Sequence, residues 1–89
     1  MRAIVTVIGK DRVGIIASVT NLLSSYGVNV LDISQTVLQE YFTMIMLVDA
    51  AACSVPFAEL SNALKAAGEE MGMQIRAQRE EVFDAMYKI

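Results

Sequence analysis

The residues best placed to do chemistry lie in one stretch, Gly9-Lys10-Asp11-Arg12-Val13-Gly14-Ile15-Ile16. It joins an apolar strand-like run, Ala3 to Ile8, to a helix-like one. A polar, glycine-bounded turn in front of a helix aims backbone N–H groups, and the positive end of the helix, at whatever lies outside. Such a junction suits an anion. Gly9 and Gly14 have the G-x-x-x-x-G spacing of a phosphate-binding loop. The Lys and Ser or Thr that should follow are Ile15 and Ile16 here, so that reading fails. The G-x-G-x-x-G dinucleotide fingerprint is missing as well. What remains is a small carboxylate seated on the N–H groups of Val13, Gly14 and Ile15, with Gly14 allowing close approach because it has no Cβ. An amino acid would also need an acceptor for its ammonium, and the side-chain amide of Asn29 offers one. The alternative is that Asp11 only caps the helix and Gly14 only packs tightly against a sheet.

Catalytic readings fare worse. The chain has no histidine, which removes Ser-His and Cys-His pairs. Cys53 sits in Ala51-Ala52-Cys53-Ser54 without a basic neighbour to lower its thiol pKa, so it reads as a small packing residue. One cysteine cannot supply the closely spaced pairs of a metal or cluster site. An acylphosphatase-like cradle would need an arginine-bearing phosphate loop after the first strand; Arg12 is near, but the apolar pair after Gly14 does not make one. Glu69-Glu70 and Glu80-Glu81 read as solvated charges near helix ends rather than an acid–base dyad. No cofactor motif is present. The chain looks like a sensor more than an enzyme.

The elements that must position this loop are legible from periodicity. Ala3–Ile8 reads as a strand apolar on both faces, hence central in its sheet. From Val13 to Tyr26 the residues Ile15, Ile16, Val19, Leu22, Leu23 and Tyr26 make one helical stripe, with Asp11 as N-cap and Gly27 as the C′ residue. Val28 to Leu38 reads as a long strand with Asn29, Leu31, Ile33, Gln35 and Val37 on one face. Gln39-Glu40 then turns into a strand from Tyr41 to Val48, forming an antiparallel hairpin. Asp49 to Cys53 is a linker. Ser54 can cap a second helix with Pro56 in its first turn and Phe57, Leu60, Leu64, Ala67 and Met71 as its stripe; Gly72 stops it. Met73 to Arg79 alternates like a half-exposed edge strand, and Glu80 to Ile89 reads as a short helix with Val82, Phe83, Met86 and Ile89 on its apolar side. The order β-α-β-β-α-β predicts an α+β, ferredoxin-like antiparallel sheet with two helices on one face, plus the C-terminal helix. The second face needs cover too, part from the tail helix and the rest from a partner subunit.

Composition sets the outer limits. With 89 residues the chain builds one small core, and 55% hydrophobic against 19% charged residues rules against disorder. That ratio exceeds what one small core hides, which points to a homo-oligomer. Net charge is −3 and the seven basic residues are scattered, so no basic footprint for nucleic acid or an anionic membrane exists. The apolar run ending at Ile8 is too short for a signal peptide or a transmembrane span, and with the lone Cys53 this fits a cytoplasmic location.

Asp11-Arg12-Val13-Gly14-Ile15-Ile16, followed by Tyr26-Gly27-Val28-Asn29-Val30, resembles the ACT domain family from the first strand to the fourth. The runs Asp32–Val37, Glu40–Met44 and Phe83–Tyr87 look especially like small stand-alone single-ACT proteins of bacteria and archaea, and the ACT module of the glycine-cleavage repressor is similar. The resemblance implies a regulatory domain at 1–79 with a helical extension at 80–89. It implies homodimers that bind amino acids at interfaces between the first loop and the second strand. Carried over by position, the ligand-binding residues would be Asp11, Val13, Gly14, Ile15 and Asn29, with Ile33 lining the site. Where the family places proline after the arginine this chain has Val13, which removes a fixed φ from the loop. The competing expectation is a ligand-free module that pairs with itself, a regulator or an enzyme through sheet edges and the tail helix.

Overall fold

The computed structural model describes residues 1–87. The elements run β1 (Arg2–Lys10), α1 (Ile15–Ser25), β2 (Asn29–Leu38), β3 (Tyr41–Asp49), α2 (Phe57–Met71), β4 (Met73–Arg79) and α3 (Glu80–Met86). The four strands form one antiparallel sheet in the order β2-β3-β1-β4, so the expected α+β, ferredoxin-like arrangement is what the chain adopts. Lys88 and Ile89, the end of the expected tail helix, lie outside the described residues.

The core forms where alternate strand residues meet the two helix stripes. Ala3, Val5 and Val7 of β1 and Met44, Met46 and Val48 of β3 are fully buried against Val19 and Leu23 of α1 and Leu60 and Leu64 of α2. Burying each of these valine, leucine and methionine side chains contributes about 1.5–3 kcal/mol relative to leaving it in water. β4 is the half-exposed edge its alternation predicts, with Met73, Ile75 and Ala77 buried and Gln74, Arg76 and Gln78 on the other face. β1 is central, as its composition predicts, but it is not buried on both faces. Ile8 is 51% exposed and Ile4 and Thr6 are half-buried, because the second face carries only α3.

The starts of both helices depart from the expected caps, each for its own reason. The β1 ladder runs on to Lys10 opposite Tyr41, and the Asp11 backbone N–H continues it by donating to the Glu40 carbonyl at 2.7 Å. Asp11 therefore does not cap α1. Gly14, with φ +89°, holds the N-cap position without a side-chain bond, and α1 starts at Ile15 rather than Val13. Ser54 does not cap α2 either. Its N–H donates to the Tyr26 carbonyl, and Pro56, extended at φ −57° and ψ 151°, takes the N-cap position. Gly27 behaves as predicted: at φ +76° it closes α1 in a Schellman motif, Gly27 donating to Ser24 and Val28 to Leu23.

The hairpin turn is Gln39-Glu40 as expected, with Leu38 paired to Tyr41 and Gln39 at φ +59°. The face assignment of β2 is corrected by a β-bulge. Val30 pairs with Val48 and Asp32 with Leu47, so Leu31 is an extra residue and the alternation changes phase there. Ile33, Gln35 and Val37 pair with Met46, Met44 and Phe42 on the helix-covered side. Asn29 pairs with Asp49, which lies on the open side with Leu47 and Ile45. Asn29 and Ile33 thus do not share a face.

Candidate functional site

The junction of β1 and α1 borders a shallow hollow of about 250 Å³. Asp11, Gly14 and Ile15 line it from the loop, Gln35 and Val37 from β2, and Phe42 from β3. The first intrahelical bond runs from the Ser18 N–H to the Gly14 carbonyl, so the N–H groups of Ile15, Ile16 and Ala17 have no helical partner. These three donors, two positions further along than the sequence suggests, carry the positive end of the α1 dipole. A Cβ built on Gly14 would meet nothing within 4 Å. The glycine is therefore not a tight-packing residue; its role is the left-handed backbone and the open space beside it. Asp11, released from capping, has no hydrogen bond to its carboxylate among the described residues.

The loop is anchored from the far side by a residue that sequence reasoning passed over. Arg12 donates from its guanidinium to the Met71 carbonyl at 2.9 Å, closing the C-terminus of α2. The partner lies 59 positions away, so no local signal announces the contact. Gln35 and Val37 were also missed, although their alternation with Ile33 places them on one face.

The remaining predicted site residues are dispersed. Val13 is fully solvent-exposed and does not line the hollow. Ile33 stands midway along the β2 edge, 39% exposed. Asn29 is at the opposite end of β2 from the loop, beside Asp49, whose carboxyl the Ala51 backbone N–H holds below the usual carboxylate range. One chain brings together Asp11, Gly14 and Ile15, and does not bring Asn29 or Ile33 to them.

A larger groove of about 590 Å³ follows β4, between Lys65 on α2 and Phe83 and Tyr87 at the end of the chain, with Arg76 in its wall. Among the described residues no three His, Cys, Asp or Glu side chains converge on a metal-sized site. Among the described residues no helix is long and apolar enough to cross a membrane.

The fold agrees with what comparison with known proteins finds. The family model described as the ACT domain matches residues 2–78. The chain belongs to the ACT domain family. It is similar to a UPF0237 protein of Clostridium acetobutylicum, 48% identical over 89 residues and covering 100% of both chains. Among solved structures, the ACT domain protein from Streptococcus pneumoniae superposes with a TM-score of 0.83 at 44% identity, covering 98% of each chain. A chain assigned as a glycine cleavage system transcriptional repressor shares the fold, with a TM-score of 0.74 at 22% identity over 86% of this chain and 44% of that one. ACT domains form a regulatory family, and in this ACT domain the junction loop has open space beside Gly14.

Proposed function

We propose that this ACT domain is a non-catalytic sensor of an amino acid or similar small metabolite, working as a homodimer. The carrying observation is the junction loop. Three unpartnered N–H groups face a hollow beside a glycine with φ +89° and open space around its Cα. A ligand carboxylate seats on the N–H groups of Ile15–Ala17, with Gly14 as the point of close approach. The unpaired Asp11 carboxylate takes the ammonium. Residues 1–79 are the sensing unit, 80–89 are an extension, and a cytoplasmic location accords with the lone, half-buried Cys53.

The second copy pairs through β2. β2 is an edge strand of ten residues that offers its outer N–H and C=O groups for pairing, the Ile33 N–H being held by the Asp32 carboxylate at 2.9 Å. A two-fold axis through its middle pairs it antiparallel with the β2 of another copy. That operation carries Asn29 of the second copy to the loop end of β2, on the open side of the sheet and away from the hollow, and buries Ile33 in the seam. No like charges meet along this pairing.

The exposed apolar residues of that edge, Leu31, Ile33, Val37 and Leu38, also favour a second reading, a ligand-free pairing module. Thermal unfolding against a panel of amino acids separates the two. A ligand at a hundredfold its Kd stabilises the native state by about 2.7 kcal/mol, roughly 10–20 °C for a domain of this size. Gly14→Asp, which puts a negative charge where the carboxylate sits, should abolish the shift. If no compound moves the melting temperature of the wild type, the sensor reading falls and the pairing module stands.

A further inference from the structure

We infer that the outer edge of β4 is a docking site for an extended acidic segment of a partner protein, which adds to the sheet as a fifth strand between α2 and α3. The inference goes beyond the ligand reading above and does not depend on it.

β4 ends the sheet and pairs with β1 on one side only. No backbone hydrogen bond from outside the sheet reaches Met73–Arg79 among the described residues. Alternate N–H and C=O groups on its outer side are therefore available to another strand. Seven residues at about 3.4 Å each offer roughly 24 Å of such edge. The groove of about 590 Å³ follows it. Ser61, Lys65 and Glu69, spaced four apart on α2, make one wall. Phe83 and Tyr87, rings 4.7 Å apart, make the other. Two walls flanking a free strand edge hold an added strand about 4.8 Å from β4 and bind it through its main chain.

Charge selects what that strand carries. Lys65 stands on the helix-covered side of the edge and Arg76 on the open side, both exposed. Neither forms an ion pair among the described residues. With Glu69, these two cations give the groove a net charge of +1, in a chain whose own net charge is −3. Arg76 is also the middle residue of β4. A second copy adding antiparallel in full register would set Arg76 directly against Arg76, so like charges turn the chain's own β4 away.

A strand points successive side chains to opposite faces. Two adjacent carboxylates at the centre of the added strand thus face Arg76 on one side and Lys65 on the other, as charge-assisted pairs. The Glu69 carboxylate, one turn beyond Lys65, disfavours a further acid at that end. The Phe83–Tyr87 pair accepts an apolar or aromatic side chain on the α3 side. The occupant is an extended stretch with a central pair of acids and apolar flanks, which a uniformly acidic tail does not match.

Two libraries of blocked seven-residue peptides test this, panned against the immobilised full chain at low and at physiological salt. One carries Glu-Glu at its centre and the other Gln-Gln, with every other position varied. The first should yield binders and the second none. A synthetic peptide from the first should protect alternate β4 amides from hydrogen exchange and leave those of β2 unchanged. It should bind Arg76→Glu roughly tenfold more weakly. The exchange pattern is read on the wild type and holds even if that variant fails to fold. Equal yields from both libraries, no binders from either, or protection away from β4 overturns the inference. Displacement of the peptide by an equal concentration of blocked glutamate also overturns it, since that marks a small-anion site and not strand addition. A protein that binds these peptides but shows no amino-acid-dependent melting shift supports this site and counts against the sensor reading alone.

Discussion

Gly14 and Gly27 both hold φ near +80°, yet a methyl group meets different surroundings at each. At Gly14 the Cβ has nothing within 4 Å; at Gly27 it would lie 2.7 Å from the Ala52 carbonyl oxygen. Gly14→Ala therefore bears only the left-handed backbone penalty, about 1–2 kcal/mol. Gly27→Ala bears that and an overpacking cost against backbone, together about 2–5 kcal/mol. Urea unfolding of the two variants should rank them in that order, and equal losses would mean that the junction loop is packed rather than open. The same contrast separates the two roles a helix-end glycine can have. Gly27 closes α1 through local bonds, while Gly14 leaves the start of the same helix open.

Among the elements, the tie between the first loop and α2 carries the clearest consequence. Arg12 satisfies the last carbonyl of α2, one residue before Gly72 turns the chain into β4. Arg12→Met keeps the apolar stem and deletes the hydrogen bond. It should destabilise by about 1 kcal/mol, with an unchanged dependence of free energy on urea because the same surface is exposed on unfolding. The element level also shows what could be read from the chain alone. Strand and helix order, the hairpin and the Gly27 stop were legible because each depends on residues within a turn or a strand of one another. The caps at Asp11 and Ser54 were not, since their helices start where a ladder or a proline lets them. The bulge at Leu31 escaped notice because the alternation of apolar residues passes through it unbroken; only the pairing of Val30 and Asp32 with successive residues of β3 reveals the phase change. That single residue decides whether Asn29 and Ile33 act on one face or two. Within the candidate site, Asp11, Gly14 and Ile15 were recoverable from local type and spacing, whereas Arg12 acts across the fold and left no local trace.

The whole molecule is a slab, 34 × 34 × 20 Å, with one sheet face layered by helices and the other half bare. Its accessible surface is 5682 Å² for 9.7 kDa, against about 5,100 Å² for a compact monomer of that mass. The surplus accords with the exposed β2 edge, a surface that a copy of the same chain can cover. If association supplies part of the native stability, the unfolding midpoint must depend on protein concentration, because dilution favours the separated chains. For a dimer, a hundredfold rise in concentration adds about 2.7 kcal/mol per pair, or about 1.4 kcal/mol per chain. In a domain this small that moves the melting temperature upward by roughly 5–10 °C. Calorimetry at 2 µM and 200 µM reads the difference directly. A midpoint that stays fixed across that range would show a chain stable on its own, with pairing irrelevant to folding. A midpoint that rises in the wild type and stays flat in Ile33→Asp would assign the coupling to the β2 edge.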